Sequence, residues 1–161
     1  MPGKLSALTG KDNYLEDFEP GAVYQHARGK TVTEMDGVLI CNLVMNTAQG
    51  HFNEDMMSRS PQGQRIVFGG VTIAMVIGLA MQDTGEQALA ELALDKVRLR
   101  TPVFHGDTLY AYSKVLDVVE GDRPDAGIVS FLHQGYNQDG KLVFEGERRV
   151  LVKRRSHWGE R

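Results

Sequence analysis

Asn46 and His51 stand five residues apart in Met45-Asn46-Thr47-Ala48-Gln49-Gly50-His51-Phe52. A side-chain amide both donates and accepts hydrogen bonds, so it can hold a water molecule. Imidazole ordinarily titrates near neutrality, so it can move that water's proton. Farther on, Arg65-Ile66-Val67-Phe68-Gly69-Gly70 opens a long apolar run. If that run is a helix, the amides near Gly69, Gly70 and Val71 have no partner within it and carry the positive end of its dipole. Glycine lets a ligand come close to such amides, and they suit a carbonyl oxygen that gains negative charge, as in the enolate of a thioester. With the 46–51 loop passing this helix end, the chemistry described is addition of water to a double bond conjugated to a carbonyl, or its removal.

The elements that must position these groups are legible in outline. Residues 70–82 (GVTIAMVIGLAMQ) are apolar on nearly every face, which predicts a helix about 20 Å long, buried all round. Upstream, residues 23–33 can be extended. Thr33-Glu34-Met35-Asp36 resembles a capping sequence that opens a helix over 36–46, with Asn46 in the C-cap position. Residues 47–64 form a long polar loop with one or two turns at 54–58. Beyond the central helix the pattern changes to period two, predicting strands at 92–100, 109–119, 127–136 and 142–153. Asn137-Gln138-Asp139-Gly140 marks a hairpin between the last two, and Gly106-Asp107-Thr108 reads as another hairpin turn.

One buried helix followed by antiparallel strands gives an α+β domain whose sheet wraps a long central helix, the hot-dog architecture. The expected organisation is an N-terminal arm over 1–22 anchored by Tyr14 and Phe18, one domain over 23–155, and a solvated tail over 156–161. Such a sheet leaves an edge and a flank exposed, so a homodimer, or a higher assembly built from it, is expected.

Composition narrows the partners. At 161 residues, 42 % hydrophobic and 24 % charged, the chain reads as an ordinary globular domain. A net charge of -3 gives no reason to expect nucleic acid or an anionic membrane. The most apolar stretch, 66–81, is shorter than the roughly 20 residues that span a bilayer. The opening residues have no secretory h-region, and the single cysteine, Cys41, suits a reducing compartment, so a cytoplasmic location is expected. His26, His105, His133 and His157 lack metal-ligand spacing, and no metal or redox cofactor is expected. Arg59, Arg65, Arg98 and Arg100 are candidates for a substrate carboxylate, and the spacing does not choose among them.

The chain resembles the MaoC-like (R)-specific enoyl-CoA hydratases over roughly residues 14–155. The resemblance is carried by Asn46 with His51, by Arg65-Ile66-Val67-Phe68-Gly69-Gly70 where that family often reads Val-His-Gly, and by Pro102-Val103-Phe104-His105-Gly106-Asp107-Thr108-Leu109. Around Met45-Asn46-Thr47 and Gly106-Asp107-Thr108 it is most similar to the branch acting on mesaconyl-CoA, β-methylmalyl-CoA and itaconyl-CoA. It implies a hydro-lyase acting on a coenzyme A thioester, with Asn46, His51, Gly69 and Gly70 catalytic and Phe68, Val71 and Arg65 binding substrate. In the family an aspartate usually stands where this chain has Asn46. An amide positions water but takes no proton, so the acid/base work falls on His51. Two other functions share the architecture. A thioesterase needs an acidic residue on or near the central helix, and the first here is Asp83, beyond residue 82. A non-catalytic module that binds an acyl-CoA needs no base at all.

Overall fold

The computed structural model describes residues 4–5 and 13–159; part of the N-terminal arm therefore lies outside the described residues. A two-residue strand β1 (Lys4–Leu5) precedes a 3-10 turn (Leu15–Asp17), β2 (Val23–Thr31), helices α1 (Glu34–Leu43), α2 (Gln49–Phe52) and α3 (Glu54–Ser58), and the central helix α4 (Gly69–Thr84). Then come β3 (Ala88–Leu99), β4 (Thr108–Val119), β5 (Ala126–Tyr136), β6 (Leu142–Lys153) and a closing turn of helix, α5 (Arg155–Trp158). The six strands form one sheet in the order β1-β2-β4-β5-β6-β3, antiparallel except where β1 joins β2. The sheet packs round α4, as the hot-dog reading expects. Among the described residues no helix is long and apolar enough to cross a membrane.

Alternation explains the strands. Along β5 and β6 nearly every second residue is buried, which gives one face to α4 or the second core and one to the outside. Gly135 of β5 shows how closely the helix sits, because a Cβ there would lie 2.4 Å from Val76 Cγ2. Two apolar clusters result. One, around Val71, Val76, Leu109 and Phe144, lies under α4, and the other, around Phe18, Val115, Phe131 and Val150, lies under the arm. Tyr14 and Phe18 are both buried.

Four sequence expectations need correction. β3 pairs with β6 at the far edge and not with β4, so the turn at Gly106-Asp107-Thr108 ends a crossover and is no hairpin. Gly106 still takes φ +96°, the reason glycine stands there. Residues 154–159 form a docked turn and not a solvated tail. Trp158 Nε1 donates to Asp125 O at 3.1 Å, and Arg155 lies 4.7 Å above the Tyr14 ring. α4 is not covered all round: Ala74, Gly78 and Met81 face outward, and an aliphatic stripe without polar atoms reads alike whether it faces protein or an open groove. α1 begins at Glu34 and stops at Leu43, three residues before Asn46.

Candidate active site

The end of α1 places Asn46. Thr33 and Asp36 close a capping box at the start of the helix, the Thr33 amide donating to Asp36 Oδ2 at 2.8 Å and the Asp36 amide to Thr33 Oγ1 at 3.2 Å. At the other end Met45 takes φ +56°, so the chain turns back on itself. The Asn46 amide then reaches Cys41 O at 2.9 Å and the Met45 amide reaches Asn42 O at 3.2 Å. This pair of bonds is a Schellman closure, with Met45 in the place glycine usually takes. Asn46 therefore lies two residues past the C-cap, Val44, which corrects its expected position. Its Oδ1 accepts from the Ala48 amide at 3.1 Å. That bond fixes which way the side-chain amide points, leaving Nδ2 with its two hydrogens as the donor on offer.

His51 is the third residue of α2, whose first turn is tied to the Asn46 loop by the His51 amide donating to Ala48 O at 3.0 Å. Its Nδ1 lies 2.7 Å from Ile66 O. A carbonyl only accepts, so Nδ1 carries the hydrogen and the neutral ring keeps its lone pair on Nε2. The Ile66 amide in turn donates to Gly50 O at 3.1 Å. The two bonds to Ile66 thus clamp α2 to the segment that leads into α4.

That segment brings the rest of the motif to His51. Phe68, the N-cap of α4, sits with its ring 5.6 Å from the His51 ring, centroid to centroid. The first helical bonds run from Val71 and Thr72 back to Phe68 O, at 2.9 and 3.4 Å. The Gly69 and Gly70 amides, in the first turn, have no partner in the helix. A Cβ at Gly70 would lie 2.4 Å from Phe68 Cε1, and one at Gly69 would lie 2.4 Å from Leu99 Cδ1, so a side chain at either place would displace its neighbour.

Val71 and Arg65 occupy different surroundings. Val71 is fully buried in the core. Arg65 has only 15 % of its side chain exposed and pairs with Glu54 at 2.7 Å through Nε and with Glu34 through Nη2. The Glu54 hydrogen bond, followed by that of Glu34, holds its guanidinium in the charged form. With both carboxylates satisfied, Arg65 acts as a staple joining the starts of α1 and α3 to the segment before α4.

The sequence reading missed a second polar cluster at the other end of α4. Asp83 Oδ2 lies 2.5 Å from His26 Nδ1, His26 Nε2 lies 2.7 Å from Ser113 Oγ, and Ser113 Oγ lies 2.6 Å from His133 Nδ1. The order of atoms is that of a serine nucleophile with its histidine and acid. Yet Ser113 is fully buried and its hydroxyl lies between two imidazoles, so no acyl group reaches it. Asp83 is also the only acid on α4, and its engagement there removes the base a thioesterase would need.

The sequence model of mesaconyl-CoA hydratases matches residues 8–154. The chain belongs to this family. It is similar to a mesaconyl-CoA hydratase from Haloarcula marismortui, 34 % identical over an alignment of 155 positions that covers 88 % of this chain and 42 % of that protein. An (R)-specific enoyl-CoA hydratase from Rhodospirillum rubrum is 31 % identical, with 89 % of this chain and 94 % of that protein covered. Among solved structures, a putative MaoC-domain dehydratase from Chloroflexus aurantiacus superimposes with a TM-score of 0.84 at 28 % identity, covering 91 % of this chain and 46 % of that one. The chain thus spans less than half the length of the Haloarcula and Chloroflexus proteins and nearly all of the Rhodospirillum one.

Proposed function

We propose that this member of the mesaconyl-CoA hydratase family hydrates a trans-2-enoyl-CoA thioester reversibly to the 3-hydroxyacyl-CoA. The observation that carries the reading is the pinned imidazole: Nδ1 held on Ile66 O leaves Nε2 as a base, with the ring 5.6 Å from that of Phe68, the residue before Gly69. Asn46 Nδ2 donates to the oxygen of a water, whose hydrogen points at His51 Nε2. As the oxygen bonds to C3, its proton passes to Nε2 and the π electrons move to the thioester oxygen. The Gly69 and Gly70 amides stabilise that charge. The imidazolium then returns the proton to C2, so one histidine serves as base and acid. No metal or redox cofactor is required. A short, branched or dicarboxylic acyl group such as mesaconyl is the preferred substrate within this reading, because the chain is similar to relatives bearing that name.

The reaction is tested by the loss of conjugated enoyl-thioester absorbance with crotonyl-CoA and mesaconyl-CoA. Turnover of either is the expected result. A protein that binds both and turns over neither would be an acyl-CoA-binding module.

We also propose that two copies pair. Along α1, Met35, Leu39 and Leu43 form an exposed apolar stripe at helical spacing, with Met35 and Leu43 more than 70 % exposed. On the edge strand β3, Leu92, Leu94 and Leu99 are exposed as well. Sedimentation equilibrium is expected to give twice the chain mass, and a monomer at micromolar concentration would refute the pairing.

A further inference from the structure

A groove of about 600 Å³ runs along the outward face of α4. Its floor is Met75 and Leu79 of α4 with Ile40 of α1, above the buried Val71, and β2 supplies Arg28 and Lys30 to its wall. One end adjoins the site described above. Val71 follows Gly70, and Ile40 precedes Cys41, whose carbonyl holds the Asn46 amide. The other end is fixed by His26 on Asp83, which sets the lower part of β2 against the last turn of α4. Arg28, two residues past His26, therefore belongs to the half of the groove away from Gly70. From Gly70 to Asp83 the helix rises about 20 Å.

The two cations differ. Lys30 Nζ is engaged with Asp36 Oδ2 at 2.9 Å and with Thr31 O at 3.2 Å. Arg28 has neither hydrogen bond nor ion pair among the described residues, and Glu86 is the only carboxylate lining the groove. A floor of valine, methionine, leucine and isoleucine offers nothing to the two amides of a pantetheine arm, which would lose their water without compensation. It suits an alkyl chain. An unpaired guanidinium above such a floor suits a carboxylate, which it can grip with two parallel bonds.

We propose that the groove holds the acyl chain and that Arg28 binds a carboxylate at the chain's far end, which brings medium-length dicarboxylic acyl-CoA thioesters into the substrate range. A compact acyl group such as mesaconyl fills only the Val71 end, so the groove extends the substrate range beyond it. The inference rests on the reading of the His51 end as the thioester site. Arg28 was not among the arginines that the sequence put forward for a substrate carboxylate.

Isothermal titration with octanoyl-CoA and suberyl-CoA tests this apart from turnover, because a saturated chain cannot be hydrated. The wild-type protein is expected to bind suberyl-CoA about tenfold more tightly. Arg28→Gln should abolish that preference and leave octanoyl-CoA binding unchanged. Equal affinities in the wild type would overturn the proposal. So would an Arg28→Gln protein that loses affinity for both thioesters and for free CoA alike, since Arg28 would then be meeting the CoA phosphates. A preference for suberyl-CoA in a protein that hydrates no enoyl-CoA would uphold the groove and remove the hydratase reading. Hydration without the preference would do the reverse.

Discussion

Replacing His51 by alanine is expected to lower kcat by roughly 10² to 10⁴-fold, the usual contribution of a positioned acid/base. KM should change little, because the groups that grip the thioester belong to α4 and the groove and not to α2. The fold should survive as well. The substitution removes one hydrogen bond, His51 Nδ1 to Ile66 O, worth about 1 kcal/mol, while the Ile66 amide stays bonded to Gly50 O. Asn46→Ala is expected to be milder, because it removes a water contact and not the group that moves the proton. Stopped-flow or steady-state loss of enoyl absorbance with crotonyl-CoA measures both variants, and a thermal melt confirms that each is folded. If His51→Ala kept more than a tenth of the wild-type kcat, the base would lie elsewhere. The exchange of aspartate for Asn46 makes this variant decisive, since no carboxylate at that position can take over the proton.

The sequence showed local features well and distant ones poorly. The capping box at Thr33 and Asp36, the turn at Asn137–Gly140 and the alternation of β5 and β6 each depend on residues a few positions apart, so their physics is written in the chain itself. The same holds for the Asn46–His51 spacing, where a Schellman turn and a short helix span the whole distance. The clamp on His51 was not visible, because a main-chain carbonyl fifteen residues away supplies it and any residue type has one. Arg65 could be seen as a charge near the motif. Its commitment to Glu34 and Glu54 depends on how α1 and α3 fold back over it. The pairing of β3 with β6 escaped because period two tells which face a residue takes and not which strand lies beside it. The open face of α4 escaped for a similar reason, since alanine, glycine and methionine suit a core and a groove alike.

The least legible feature carries the largest expected effect on stability. Asp83, His26, Ser113 and His133 come from α4, β2, β4 and β5, so four elements meet in one buried chain of hydrogen bonds. Beside it, Arg148 of β6 ties the end of α4 to β3, with Nη1 3.1 Å from Thr84 Oγ1 and Nε 2.8 Å from Glu91 Oε2. Asp83 and His26 are 6 % and 3 % exposed, so removing either leaves its partner buried and uncompensated. Asp83→Ala is therefore expected to destabilise the fold by about 3–5 kcal/mol in urea unfolding. The fraction that stays folded should keep its turnover, because Asp83 lies thirteen positions along α4 from Gly70. A loss under about 1 kcal/mol would mean that water enters and solvates His26. The same cluster gives the fold an acid limit. Burial, followed by the charges of Arg148 and His26, pushes His133 down to about 3. The unfolded chain takes up a proton there below the ordinary imidazole value of about 6.5, and the folded protein does not. Stability should thus fall by up to about 1.4 kcal/mol for each pH unit between about 6.5 and 3 from this residue alone. In His133→Gln that part of the slope should vanish, whatever the substitution does to stability at neutral pH. An unchanged acid slope in this variant would assign the acid sensitivity to other groups.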